Sequence, residues 1–469
     1  MLKIQPIRKF DLNIEEILEN WEVYHGIREI IANALDEQTL TTTKDIEIFE
    51  DISNNWHIRD YGRGLKYEHL TQKENQEKVN HPNLIGKFGI GLKDALATFD
   101  RNGVEVAINS KHGFFTIEKS KKYGFADIIT LHAVVTDPVN PNFIGTEVVL
   151  KKVSKNDIEK AKALFLKFSG DILVESTDFG DIYKQNSNSA TIYINGVKVA
   201  EEANFLFSYN ITSLTRQIKK ALNRERSNVG RNAYRDRIKK ILLACESEEV
   251  ALGLIDDLQK MEQGTSHDEI LWLDIQQHAV NILSTKKEAL FVTPSELQDS
   301  FYVIDEAQSR GLEIITITET LREKIRNTSD ISGNPIRDID YFNQEIVQSF
   351  EFKFIKPKYL EISERRIFNL KDKIFEIIGG KPHKILKVKI SETMRKDPMT
   401  FREVSGLWEE STGSIIIKRD QLTHIRDFCG TMLHEIAHCI SGSEDVSRTF
   451  ELELTRLLGL LCSKIVNDQ

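Results

Sequence analysis

The chain has 469 residues. That is too long for one ordinary core, and roughly three or four domains are expected. Hydrophobic residues make up 40% and charged residues 29%, with 9 Pro and 25 Gly, which excludes a disordered or fibrous chain. The formal charge of −9 excludes wholesale coating of nucleic acid but leaves room for a local basic patch.

The cysteines Cys245, Cys429, Cys439 and Cys462 form no CxxC pair. That usage fits a reducing compartment and excludes a Cys-rich zinc knuckle. No apolar h-region opens the chain, and no window approaches the roughly 18 apolar residues of a membrane span. A cytoplasmic protein with no membrane partner is expected.

In chain order, apolar residues at Ile14, Ile17, Leu18, Trp21, Ile27, Ile31, Ala34 and Leu35 predict a helix over 12–40. Alternating runs at 45–50 and 56–60, split by Ser53, Asn54 and Asn55, predict strand, turn and strand. A short helix from Leu92 and strand-like runs at 103–109, 114–118, 126–135 and 146–151 follow. Residues 1–155 therefore read as an α/β sandwich with a largely antiparallel sheet. Residues 156–285 open with a helix over 156–168. Asn195-Gly196 between two short apolar runs then predicts a type I′ hairpin, with several helices after it. Over 286–330 a strand at 290–292, a helix from Pro294 to Arg310 and a strand at 312–317 form a small β-α-β unit. Residues 326–345 read as a linker, rich in Asn, Gly and Pro. The last part, 345–469, carries helical stretches at 421–442 and 446–465. The fold class is α+β, multi-domain.

Three motifs in the first part carry chemistry. Glu29, Asn33 and Asp36 stand at i, i+4 and i+7, on one face of a helix. The amide oxygen of Asn33 suits Mg²⁺, and Glu29 can deprotonate a water. Asp60 follows a strand and precedes Gly62 and Gly64, which let backbone approach a planar ligand closely. Gly86, Gly89 and Gly91 form a GxxGxG loop running into a helix, with Lys93 one turn on. Bare amides and a helix N-terminus suit a polyphosphate.

In this order and spacing the motifs resemble the Bergerat ATP-binding fold of GHKL proteins: DNA gyrase B, heat-shock chaperones, histidine kinases, mismatch-repair MutL and MORC ATPases. Gly145-Thr146 matches the later Gly-Thr element of that family. The resemblance implies ATP as ligand, Glu29 as general base and Asn33 as the Mg²⁺ ligand. It implies that Asp60 reads adenine with support from Thr146, and that Gly86, Gly89, Gly91 and Lys93 hold the phosphates. In the hydrolytic members a transducer domain follows, and 156–285 sits in that place. Its basic stretch, 216–240, is the expected source of a cation for the γ-phosphate or, alternatively, a nucleic-acid patch.

In the last part, His434-Glu435-Ile436-Ala437-His438 is an HExxH motif in a helical run. His434 and His438, one turn apart, can hold one Zn²⁺, and Glu435 is placed to take a proton from a water there. The run 414–418 upstream reads as the edge strand that pairs with an extended substrate. The arrangement resembles a gluzincin-type metallopeptidase, a zincin-like domain. Glu451 is the expected third ligand, and Asp445 and Glu453 are alternatives.

The expected function is an ATP-binding and hydrolysing switch that controls a zinc-dependent protease, working as an ATP-dependent homodimer on a protein substrate. Such a fusion suggests a bacterial stress or anti-phage role. The alternative is a MutL- or MORC-like ATPase acting on nucleic acid, with a structural or degenerate metal site.

Overall fold

Alternation with period two builds the first sheet. Trp56 and Ile58, Val106 and Ile108, Ala133 and Val135, and Val148 and Leu150 are buried, each pair on one face of its strand. In the computed structural model, which describes residues 8–14, 19–71, 84–85, 91–125, 127–186, 188–222, 229–261, 264, 266–397 and 402–467, the chain divides into two compact units, Met1–Leu283 and Ser284–Gln469. The architecture is mixed α/β with several sheets.

The first sheet of the first unit has seven strands: β1 (Arg8–Asp11), β2 (Glu47–Glu50), β3 (Trp56–Arg59), β4 (Glu105–Ser110), β5 (Gly113–Lys121), β6 (Ile129–Thr136) and β7 (Thr146–Lys151). Their order is β1-β6-β5-β4-β7-β3-β2, with antiparallel pairing throughout. Helices Val23–Thr41, Gly91–Arg101 and Lys155–Lys162 pack on it. Ile27, Ile30 and Ile31 from the first, Leu96 and Phe99 from the second and Ile158 from the third join the sheet's apolar face in one core. Each such large side chain contributes about 1.5–3 kcal/mol on burial.

Two expectations shift here. Of the helix expected from residue 12, the described residues form Val23–Thr41, and Ile17 and Leu18 lie outside them. Leu12 lies before it, fully buried, with its amide donating to the Leu131 carbonyl at 3.0 Å. β1, the strand before it, reads Arg-Lys-Phe-Asp, and its charges hide it from a hydrophobicity pattern.

The second sheet has five strands: β8 (Ile172–Thr177), β9 (Gly180–Lys184), β10 (Ala190–Ile194), β11 (Val197–Glu202) and β12 (Ser208–Ile211), in the order β11-β10-β12-β9-β8. The expected hairpin is β10–β11, and Asn195 (φ 47°) and Gly196 (φ 78°) both adopt the left-handed conformation a type I′ turn requires. The helix expected over 156–168 is shorter, Lys155–Lys162, and a 3₁₀ turn, Leu166–Phe168, follows.

The second unit opens with parallel β13 (Ala289–Val292) and β14 (Glu313–Thr316). The helix expected between them is interrupted at Ser300 into Pro294–Asp299 and Phe301–Ser309. Residues 326–345 are not an extended linker. Ser329 bridges Pro335, and Ile336, Ile339 and Phe342 are buried. The Arg322 guanidinium, itself buried, binds Glu296 (3.1 Å), Asp338 (2.7 Å) and Asp340 (3.2 Å). This ion network ties the segment to the β-α-β unit.

A four-stranded sheet follows, β15 (Phe354–Ile355), β16 (Lys387–Ser391), β17 (Gly406–Glu409) and β18 (Ser414–Lys418), ordered β15-β16-β18-β17. Helices Ile362–Ile377, Ile425–Ser441 and Arg448–Asn467 share a core with Ile390, Ile415 and Ile417, which lie on one sheet face. No helix of the described residues is long and apolar enough to cross a membrane.

One buried acid makes the first unit sensitive to pH. Glu269 is fully buried, and burial pushes its carboxyl up to about 7 from 4.5. Its Oε1 accepts from the Leu206 amide (2.9 Å), the Phe207 amide (3.3 Å) and the Tyr209 hydroxyl (3.0 Å), while Oε2 has no partner among the described residues. The folded chain therefore keeps a proton that the unfolded chain releases between those values. The stability this proton contributes is full below pH 4.5 and is lost as pH rises through about 7. Glu269→Gln should accordingly raise the unfolding free energy relative to wild type at pH 8, by at most on the order of 3 kcal/mol, and gain little at pH 5. A difference between the two proteins that stays constant from pH 5 to 8 would show that Glu269 does not carry this dependence.

Candidate functional site

The first cluster forms where helix Val23–Thr41 meets the start of helix Gly91–Arg101. Glu29 is buried, and its Oε1 accepts from Arg28 Nε (3.1 Å) and Nη2 (2.8 Å). Its Oε2 faces Gly91, where a Cβ would stand 2.1 Å away. A side chain at position 91 would therefore collide with the Glu29 carboxylate. Asp36, two turns along, is buried and accepts from the Ile85 amide at 2.6 Å. Asn33 lies between them on the same helix, partly buried.

Asp60 follows β3 and is buried. Its Oδ1 accepts from the Gly62 amide (2.9 Å) and the Thr146 amide (3.2 Å). Burial holds its carboxyl above the ordinary value, against the opposing pull of those amides. The Asp60 amide in turn donates to the Thr146 carbonyl at 2.9 Å. Gly145 makes this splice possible: its φ is +83°, and a Cβ there would lie 1.9 Å from the Asp60 carbonyl oxygen. The structure thus brings Asp60, Gly62 and Thr146 together. Gly64 also has positive φ and abuts Ser110 and the Gly145 carbonyl. Lys93 lies in the first turn of helix Gly91–Arg101. Gly86 and Gly89 lie outside the described residues.

The basic stretch 216–240 spans helices Arg216–Ala221 and Arg231–Leu243. Arg231 pairs with Asp268 and packs over Phe205, Lys239 pairs with Asp274 at 2.7 Å, and Arg237 packs over Phe179. Much of its charge is thereby spent within the fold. Lys219 and Lys220 are exposed, and Arg224 and Arg226 lie outside the described residues.

The second cluster sits on helix Ile425–Ser441. The Nε2 atoms of His434 and His438 are 3.1 Å apart. Asp445 Oδ1 lies 3.2 Å from the first and 3.3 Å from the second. One nitrogen or oxygen from each residue could therefore share one ion, in an N₂O set that zinc accepts. The Ser443 carbonyl, 2.8 Å from His438 Nδ1, fixes that ring with Nε2 toward the cluster. Burial lowers His434 from its ordinary value, which favours the neutral ring that ligation needs.

The third member is Asp445, not the expected Glu451. The helix bearing Glu451 begins at Arg448 and turns Phe450 inward. The Phe450 ring stacks on His438 (4.3 Å, 26°) and meets His434 edge-on at 4.9 Å. Glu451 is one residue on, about 100° further round the helix, and faces Arg448 at 3.5 Å. Glu453 pairs with Arg456 at 2.6 Å. Asp445 reaches the histidines because the helix stops at Gly442 in the left-handed conformation and the chain turns back, with Val446 also at positive φ.

Glu435 is buried, and burial pushes it up to about 8. It lies against β17, where a Cβ on Gly406 would stand 2.7 Å from Glu435 Oε1 and 2.5 Å from Thr431 Cγ2. The edge strand beside the cluster is therefore β17. β18, expected in that role, is interior, between β16 and β17. Gly406, Ser443 and Phe450 are the residues that sequence reasoning misses. Only Phe450, an aromatic twelve residues after His438, left a trace.

The family described as Mycoplasma pneumoniae MPN635 N-terminal domain matches residues 156–248. A Mycoplasma pneumoniae protein described as uncharacterized is 42% identical over 240 residues, covering 50% of this chain and 97% of that protein. A second from the same organism, described in the same words, is 25% identical over 340 residues, 66% of this chain and 93% of the relative.

Gly406→Ala should destabilise the second unit by about 1–3 kcal/mol, because the new methyl has no space between β17 and helix Ile425–Ser441. Gly430→Ala, with open space at its Cβ, is the control. Equal denaturant midpoints for both variants would show that β17 does not press on the helix.

Proposed function

We propose that this chain, which belongs to the family of the Mycoplasma pneumoniae protein that it matches at 42% identity, is a nucleotide-switched zinc peptidase. The observation that carries the reading is the trio His434, His438 and Asp445, whose ligand atoms lie within 4.8 Å of one another, with Glu435 on the same helix.

His434, His438 and Asp445 would hold the ion. When bound, zinc supplies a Lewis acid that polarises a peptide carbonyl and acidifies a water. Glu435 would be the proton carrier, from an attacking water to the departing amine. β17, at the sheet edge beside Glu435, offers backbone groups to an extended substrate. The domain is zincin-like, with an aspartate rather than a glutamate as third ligand.

The first unit is proposed as a Bergerat-type ATPase with a transducer-like second part. Two features support the fit: the Glu29 carboxylate lies directly against the bare backbone of Gly91, and Asp60 and Thr146 are spliced at the end of β3. Asp60 would read the adenine amino group, Asn33 would hold Mg²⁺, Gly91 and Lys93 would hold the phosphates, and Glu29 would take the proton from the attacking water. ATP would drive homodimer closure and license the peptidase. Hydrolysis would reset it, which limits damage from an unregulated protease. The alternative, an ATPase acting on nucleic acid through 216–240, has Lys219 and Lys220 in its favour. It is weakened by the partners of Arg231 and Lys239.

Purified protein should carry one zinc per chain by elemental analysis, and Asp445→Asn and His434→Ala should lose it. Glu435→Gln should keep zinc yet cut peptide hydrolysis roughly 10²–10⁴-fold. A metal-free wild type would overturn the peptidase reading. In the first unit, Glu29→Gln should abolish ATP hydrolysis while ATP still binds. Undiminished turnover in that variant would remove Glu29 as the base.

A further inference from the structure

The hairpin β5–β6 outruns the sheet it belongs to. β4 pairs with β5 only as far as Thr116, while β5 and β6 stay paired out to Lys121 and Ile129. At about 3.4 Å per residue, the arm stands ~17 Å beyond the end of β4 pairing. On its other side, β1 pairs with β6 no further than His132. The base of the arm is braced. Lys119 pairs with Asp100 at 3.0 Å, and Glu118 pairs with Lys9.

Hydrogen bonds tie the described residues of the tip, Ala126 lying outside them. The Phe125 amide donates to the Lys122 carbonyl (3.0 Å), and the Lys122 amide donates to the Ile128 carbonyl (2.8 Å). Gly124, at φ +83°, provides the left-handed residue that the turn requires. Here Tyr123 is 98% exposed, Phe125 54%, Ile128 44% and Ile129 66%. Lys121 and Lys122 sit among them, and Asp127 is the one acid between Lys119 and Ile129.

We propose that this hairpin is a docking arm for an anionic lipid surface. Aromatic and aliphatic side chains at a convex tip can enter the headgroup layer, and flanking lysines meet its negative charge. No membrane-spanning segment is needed. The chain as a whole carries −9, so the same surface repels the rest of it and contact is confined to the arm. A symmetric contact with a second copy would bring like lysines together. A nucleic-acid strand would gain nothing from Ile128 and Ile129, which have no ring face for a base.

The test is sedimentation of the full chain with phosphatidylcholine vesicles, with and without phosphatidylserine. Wild type should pellet with the anionic vesicles only, and less as salt rises. Lys121→Gln with Lys122→Gln, and separately Tyr123→Ser with Phe125→Ser, should each weaken partition roughly tenfold or more. Both should keep the wild-type unfolding midpoint, since the changed side chains lie on the surface. A Trp at position 123, as Tyr123→Trp, should shift its emission to the blue with anionic vesicles. Equal pelleting with neutral vesicles, or either double variant binding as wild type does, overturns the proposal. So does a tip variant that abolishes self-association in the absence of vesicles, which would assign the arm to a second copy. Salt-sensitive binding of an oligonucleotide, lost in the tip variant, would overturn it in favour of nucleic acid.

Discussion

Taking a carboxylate out of water costs several kcal/mol unless hydrogen bonds or a countercharge replace the solvent. That constraint organises both units. Glu29 is held by Arg28, Asp36 by the Ile85 amide, and Asp60 by the amides of Gly62 and Thr146. In the second unit, Asp338 is held by the buried Arg322, and this pairing draws the segment after helix Glu319–Ile325 onto the β-α-β unit. Each carboxylate therefore dictates where a loop must run. The loops so placed are the ones that carry the candidate sites.

Close backbone approach is the complementary constraint. Gly145 lets the start of β7 lie on the Asp60 carbonyl, and Gly91 brings a helix start against Glu29. Gly406 brings β17 against Glu435. In each case an added methyl would fall well inside contact distance, so a buried acid and a bare backbone form one unit of structure. Their position, not their conformational freedom, distinguishes Gly91 and Gly406, since neither has positive φ.

Several elements were legible because their signals are local. The β10–β11 hairpin followed from Asn195-Gly196, whose left-handed preference selects its turn. The strands with alternating burial, such as β3 and β7, followed from period two. The HExxH helix followed from its apolar spacing and its Gly442 stop. Other elements were illegible for equally physical reasons. β1 is mostly charged, and β15 and β16 are short strands whose pairing partners lie far away in sequence. The break at Ser300 and the packing of 326–345 depend on contacts that no window of sequence contains.

The sequence by itself determined which groups are available: three polar residues on one face of the first long helix, an aspartate at a strand end, and two histidines one helical turn apart. Helix and strand periodicities are local, and they place side chains on faces without reference to the rest of the chain. Only the tertiary structure decided which of these groups meet. It chose Asp445 over Glu451, because a helix starting at Arg448 sends Phe450 inward against the histidines and the next residue outward. It chose β17 over β18 as the sheet edge, because strand order depends on long-range pairing. It also left Tyr123 and Phe125 at the end of an arm that two neighbouring strands stop short of covering.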